Sequence, residues 1–264
     1  MTIYLELTRE FNAGRLRAIL SSGQAVVLHR LAVASKDGDW ILREDAEALD
    51  HVLSVLDRRG ARYRFGAPLD RRWMAGGWSA HLEFRHDSLR IRTDFVTRPP
   101  RISARDLEGL WREMEGRDPP FVGARLLADL KRTNREKDYA VIGELARIMT
   151  DPRDRLLYSR SAQELIGMAG EHPALVRDLA PRRPVLALLG RGRDKIEEAL
   201  DAERRVAMRQ NERRLEAYLA AASAWSSGWP DLARRLEGKP LRETHPILVE
   251  EALAKLPARV EVET

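Results

Sequence analysis

Along its first 100 residues this chain alternates between two rhythms of apolar residues, one of period two and one near 3.6. That contrast predicts strands and helices sharing one core. Leu5 to Leu20 reads as a helix, with Leu7, Phe11, Leu16 and Ile19 near helical spacing. A break at Ser21-Ser22-Gly23 leads into a short helix through Ala25-Val26-Val27-Leu28. Asp39-Trp40-Ile41-Leu42 predicts a strand, and Ala46 to Arg59 an amphipathic helix carried by Leu49, Val52, Leu53 and Leu56 and stopped at Gly60. Tyr63 and Phe65 suggest a further strand, followed by a turn-rich stretch around Ala75-Gly76-Gly77-Trp78. His81 to Arg85 and Leu89 to Val96 then alternate as the arms of a hairpin around His86-Asp87-Ser88, ended by Pro99-Pro100.

Beyond Pro119-Pro120 the period-two signal vanishes. Helices are predicted over Leu126–Lys131, Tyr139–Met149, Ala162–Met168, Ala174–Leu179 and, as one long charged element, Asp194–Ala222. The expectation is an α/β (α+β) chain with two domains: a mixed sheet with flanking helices over residues 1–120, and an all-helical domain over 121–264 with a sub-boundary near 181–184.

Charge sharpens this picture. The 264 residues carry a net charge of +5, with forty arginines against six lysines. From Arg58 to Arg105 there are twelve arginines and four acids, whereas from Pro181 onward sixteen bases face fourteen acids. The basic excess is either an arginine-rich compositional bias or a surface for triphosphate or RNA, since guanidinium forks pair bidentately with phosphate. The chain has no cysteine, which excludes disulfides, thiolate chemistry and Cys-bound zinc. The first residues lack a secretory pattern, and no stretch approaches the roughly 20 apolar residues of a bilayer span. A cytoplasmic protein without a membrane partner is expected.

The candidate chemistry lies in Asp37-Gly38-Asp39 and in Asp94 of Leu89-Arg90-Ile91-Arg92-Thr93-Asp94-Phe95-Val96. Carboxylates at i and i+2 of a strand point to one face. A third carboxylate from a neighbouring strand would complete a hard-oxygen set suited to Mg²⁺ rather than zinc. Two roles stay open for Asp94, metal carboxylate or partner of Arg92, with which it shares a strand face. His29 is expected to be packed, and Trp40 and Trp78 to belong to the core or the wall of the site.

Ser22-Gly23-Gln24-Ala25-Val26-Val27-Leu28-His29 followed by Ser35-Lys36-Asp37-Gly38-Asp39-Trp40 resembles the signature of the DNA polymerase β-like nucleotidyltransferase superfamily, its small prokaryotic members including the abortive-infection toxin type. Leu126 to Lys131 and the Arg135-Glu136-Lys137-Asp138 that follows are similar to a later helical element of that family. The likeness spans residues from about 15 to 150. It implies catalytic, metal-holding Asp37, Asp39 and Asp94 with two Mg²⁺ ions. It also implies a triphosphate cradled at Ser22 and Gly23, and phosphate contacts from Lys131, Arg135 and Lys137. The implied reaction moves a nucleoside monophosphate from a nucleoside triphosphate to a hydroxyl of RNA, such as a tRNA end, or of a protein, in a toxin–antitoxin or phage-defence setting with a regulator protein as partner. The chain departs from the pattern at Ser22, where a glycine is usual, at Arg30, at Val33, at Ser35 and at Gly38, where a β-branched residue is usual. Those departures motivate a second reading, a catalytically impaired nucleotide-binding module that kept the fold.

Overall fold

The computed structural model describes residues 2–262. Contacts divide the chain into two compact units: residues up to Val122 together with those from Leu215 on, and Gly123–Arg214. The first unit opens with α1 (Thr2–Phe11), β1 (Ala18–Ser21), α2 (Ser22–Leu28), β2 (Asp37–Leu42) and α3 (Ala46–Arg58). It continues through β3 (Arg62–Tyr63), α4 (Arg71–Met74), β4 (Ala80–His86), β5 (Leu89–Val96) and α5 (Ala104–Met114). The second holds α6 (Ala124–Leu130), α7 (Glu136–Ile148), α8 (Pro152–Tyr158), α9 (Ala162–Glu171), α10 (Pro173–Leu179) and most of α11 (Arg193–Ala221). The last turns of α11, with α12 (Ser223–Leu236) and α13 (Leu241–Lys255), belong to the first unit. The class is α+β.

The sheet runs β1-β2-β5-β4-β3, with β2 and β5 parallel and the other neighbours antiparallel. Its two faces differ because side chains alternate. Trp40, Leu42, Ile91, Phe95, Leu82 and Phe84 turn inward to a core shared with Leu7 and Phe11 of α1 and Leu49, Val52, Leu53 and Leu56 of α3. The Trp40 indole stacks on Phe95 at 5.5 Å, meets Phe11 edge-on at 5.3 Å and donates from Nε1 to Thr8 Oγ1 at 2.9 Å. The odd-numbered residues of β2 and β4 and the even-numbered residues of β5 face the other way, so the opposite face is polar from Asp37 to Asp94 and apolar at Ile41 and Val96.

Gly38 has a packing reason. A Cβ there would lie 2.4 Å from Trp40 Cη2 and 2.5 Å from Tyr4 Cδ1. The strand between the aspartates runs over two aromatic rings, so the β-branched residue usual in the resembled pattern has no room.

Three expectations are corrected. The helix predicted over Leu5–Leu20 ends at Phe11, and Ala18–Ser21 is a strand. The Asn12 amide donates to Thr8 O and Ala18 O and its oxygen accepts from the Arg17 and Ala18 amides, while Gly14 adopts φ 86°, so the chain reverses there. The residues after 215, expected in the helical domain, pack with the sheet unit instead. Trp225, Leu232, Leu248 and Leu256 join Trp73 and Trp78, whose indoles donate to Leu256 O and Pro257 O at 3.1 and 2.9 Å. Pro181–Pro184, expected as a sub-boundary, lies inside the second unit, where buried Arg183 donates to Leu156 O and Ser159 O. His29 is packed as expected, its Nε2 3.0 Å from Val122 O and its ring edge-on to Phe121. No helix among the described residues is long and apolar enough to cross a membrane.

In the first unit α13 is tied to the sheet edge by His245, whose Nδ1 lies 2.8 Å from the Tyr63 hydroxyl. That hydroxyl also accepts from the Leu69 amide. Burial, and less strongly Arg242, holds the His245 pKa below its ordinary value against the opposing pull of Asp70 and Asp50. A depressed histidine pKa means that the folded state binds fewer protons. Its stabilising contribution is therefore present above the unfolded pKa and is lost as pH falls. Denaturant melts should show stability dropping once the pH goes below about 6.5, with a smaller drop in His245→Phe. Gly38→Val should cost about 1–3 kcal/mol through overpacking against Tyr4 and Trp40, measured as a lowered denaturant midpoint at unchanged slope.

Candidate active site

Register decides which side chains meet on the polar face. Asp39 pairs with Asp94 across the parallel β2–β5 ladder and with Ser21 across β1–β2, and Asp37 pairs with Arg92. The Ser22-Gly23 turn, which leaves β1 directly after Ser21, thus adjoins the aspartate pair. Ser22 takes a left-handed φ of 47°, a conformation that ordinarily favours glycine. Gly23 is required by close approach, because a Cβ would lie 2.2 Å from Ser35 Oγ. Buried Gln24 holds α2 to the start of β2 by donating to Ser35 O at 3.0 Å and Asp37 O at 3.2 Å.

The carboxylates are not equivalent. Asp37 Oδ1 is buried without a hydrogen-bond partner, with Arg92 Nη1 3.8 Å away. A carboxylate oxygen shielded from water with an ion pair but no hydrogen bond is under-satisfied unless something else completes it. Asp94 is occupied. Its Oδ1 accepts from Arg64 and lies 2.8 Å from His81 Nδ1, so its partners are Arg64 and His81 rather than Arg92. Beneath the face, the Tyr4 hydroxyl donates to Lys36 O at 2.6 Å, and its pKa is raised by burial first and then by the charge of Asp37, with Asp39 and Asp94 adding to it.

Beside Asp94 lies buried Glu83, which accepts from Arg90 and Arg62 and stands 4.0 Å from Arg64. Burial alone would raise its pKa, and the hydrogen bonds from Arg90 and Arg62 outweigh that and lower it. The side chains of Arg62, Arg90 and Arg92 remain 72%, 56% and 42% exposed on this face. The basic excess read between Arg58 and Arg105 is thus partly gathered on the aspartate face.

Arg64 and His81 were not among the expected site residues. Arg64 lies thirty positions from Asp94 and reaches it from beyond the β3 edge. His81 was within reach of the sequence, because a two-residue turn at Asp87-Ser88 pairs His86 with Leu89 and therefore His81 with Asp94.

The resemblance also named Lys131, Arg135 and Lys137. In the second unit the first two are brought together on Asp138. Its Oδ2 accepts from Arg135 Nε at 2.8 Å and from Thr133 Oγ1, and Lys131 Nζ is 3.6 Å from its Oδ1. Lys131 and Asp138 are both buried, so this is a node in which a buried carboxylate is neutralised. Lys137 stands apart, exposed in the first turn of α7.

A magnesium ion fits Asp37 and Asp39 by the chemistry of the donors: two hard-oxygen carboxylates on one face, one with an uncompleted buried oxygen. Among the described residues no three His, Cys, Asp or Glu side chains are arranged to hold a metal ion. One or two carboxylates together with substrate phosphates is nevertheless a usual Mg²⁺ environment. A separate cavity of about 860 Å³ opens at the far end of β2 and β5, lined by Leu42, Thr97, Trp111 and the Arg98–Glu44 pair.

No family model matches this chain, and no curated protein does. Among solved structures it is similar to a Helicobacter pylori protein described as a candidate nucleotidyltransferase, at 13% identity and a TM-score of 0.41, over 80% of this chain and 96% of that one. It is also similar to JHP933 from Helicobacter pylori, at 12% identity and a TM-score of 0.38, over 82% and 94% of the two chains. Likeness this distant carries no weight for function, which has to be argued from the site.

Removing one cation from the Asp138 node should be felt in stability. Lys131→Met is expected to lower the unfolding free energy by about 1–3 kcal/mol by leaving the buried carboxylate less well compensated. Urea denaturation checks it, and an unchanged midpoint would mean that Lys131 has no structural role there.

Proposed function

We propose that this chain is a magnesium-dependent nucleotidyltransferase, moving a nucleoside monophosphate from a nucleoside triphosphate onto a hydroxyl. The observation that carries the reading is the placement of Asp37 and Asp39 on one polar sheet face beside the Ser22-Gly23 turn, with the buried Oδ1 of Asp37 lacking a hydrogen-bond partner. Asp37 and Asp39 would hold magnesium, which when bound neutralises triphosphate charge and makes the α-phosphorus more open to attack. Backbone amides of the Ser22-Gly23 turn orient the phosphates. Arg92 sits behind Asp37 as a counter-charge, and Gln24 keeps turn and strand in fixed relation.

For the acceptor, the exposed guanidinium groups of Arg62, Arg90 and Arg92 on the same face favour a polyanion, and RNA over protein. A regulator protein as partner and a toxin role in phage defence rest on the family resemblance alone. The second reading, nucleotide binding without transfer, is favoured by one observation: Asp94, which stands opposite Asp39, has its Oδ1 already engaged by Arg64 and His81.

Incubation with each α-labelled nucleoside triphosphate, Mg²⁺ and total RNA separates the two. Transfer predicts labelled RNA, reduced to background by chelation of magnesium or by the double substitution Asp37→Ala/Asp39→Ala. Nucleotide binding with no labelled acceptor supports the binding module, and label that survives the double substitution rules out the aspartate mechanism.

A further inference from the structure

On the polar face, two strands away from the aspartate pair, three side chains form a relay. The Ser79 hydroxyl lies 3.0 Å from His81 Nε2, and His81 Nδ1 lies 2.8 Å from Asp94 Oδ1. The same Asp94 oxygen accepts from Arg64, which marks the carboxylate as an acceptor and places the imidazole proton on Nδ1. In the neutral imidazole Nε2 then offers a lone pair to which the Ser79 hydroxyl can donate. This is the order of groups that makes a serine oxygen nucleophilic: hydroxyl, imidazole, then an orienting carboxylate.

Two further features hold the relay in place. Gly66 lies against the imidazole, where a Cβ would sit 2.5 Å from His81 Cδ2, so only glycine leaves the ring its slot. The backbone on either side is paired as well, with the Ala67 amide donating to Ser79 O at 3.1 Å and the Arg64 amide to His81 O at 2.8 Å. The relay is open to solvent. Ser79 is half-buried, and the His81 and Asp94 side chains are 29% and 24% exposed. Side chain-to-side chain bonds are a minority of protein hydrogen bonds, and nothing in the core requires this one.

We propose that Ser79 is an acceptor hydroxyl within the enzyme itself, taking a nucleoside monophosphate from the triphosphate held on the aspartate face. The proposal rests on the nucleotidyl-transfer reading. His81 pairs with Asp94, which pairs with Asp39, and Ser79 continues the ladder level with Val96 and Ile41, so it stands about 10 Å from β2 at the usual strand spacing and two residues along from Asp39. In the step, Ser79 Oγ bonds to the α-phosphorus and its proton passes to His81 Nε2. The bond from the α-phosphorus to the bridging oxygen breaks, and pyrophosphate leaves with the electron pair. Asp94, held by Arg64, balances the imidazolium. His81 touches the reacting hydroxyl, while Asp94, Arg64 and Gly66 act through it as positioning residues.

The test uses the full chain with each of the four α-labelled triphosphates and Mg²⁺, with and without total RNA, read by intact mass and peptide mapping. One nucleoside monophosphate on the peptide containing Ser79 is expected, absent from Ser79→Ala and retained in Ser79→Thr. His81→Gln should slow its appearance by about 10²-fold or more, the usual worth of a general base. Labelled RNA with an unmodified chain, or label on another residue, overturns the proposal and leaves nucleotidyl transfer standing. No label on chain or RNA removes the nucleotidyl-transfer reading itself. A fluorophosphonate probe, which needs no nucleotide, reports on the hydroxyl separately. Labelling of Ser79 that depends on His81 supports its activation, and an unreactive Ser79 in the folded wild-type chain overturns it.

Discussion

Everything on the polar face depends on the seating of Trp40. Its indole is fixed on three sides, by Phe95 on the neighbouring strand, by Phe11 from the helix above and by the Thr8 hydroxyl. Trp40 and Phe95 are register partners, so this contact also sets the alignment of β2 on β5. A slip of one residue would turn every inward side chain outward. It would bury Asp37 and Asp39 in an apolar core, at a cost of several kcal/mol for each unpaired carboxylate. The core therefore chooses the site's geometry, and the carboxylates occupy the positions it leaves them.

That dependence explains what the sequence disclosed. Period-two alternation is local, so the shared face of Asp37 and Asp39, and that of Arg92 and Asp94, was legible without a fold. The helix expected over Ala46 to Arg59 was legible because its apolar stripe and the Gly60 that stops it lie within one segment, and it is found over Ala46–Arg58. Where competing local patterns overlapped, the sequence misled. Leu16 and Ile19 continue the spacing of α1, and only the Asn12 hydrogen bonds and the left-handed Gly14 show why the helix stops before them. Beyond Ala222 the sequence marked only a helical region without bounds, and α12 and α13 each hold an interior proline, Pro230 and Pro246, which ordinarily argues against a helix.

Long-range pairing was the other blind region. Arg64 reaches Asp94 across two strands, and Lys131 and Arg135 converge on Asp138 through the geometry of a helix junction. An arginine-rich stretch says that guanidinium groups are plentiful and not which of them are already spent. Glu83 binds Arg62 and Arg90, and Asp94 binds Arg64, so three of the twelve arginines are already engaged by two of the stretch's four acids on the sheet itself. What a phosphate would meet there is a lattice of partly satisfied guanidinium groups.

Gly38 gives the aspartate pair an unusual mechanical character. A strand segment without a side chain of its own has little to hold its torsions, so the alignment of the two flanking carboxylates is borrowed from the aromatic floor of Tyr4 and Trp40. Such a site behaves like a hinge pin seated in a bearing. Whatever loosens the bearing, heat or a solvent that wets the rings, should unsettle the carboxylates while the strands are still paired. Loss of function would then precede loss of secondary structure on warming.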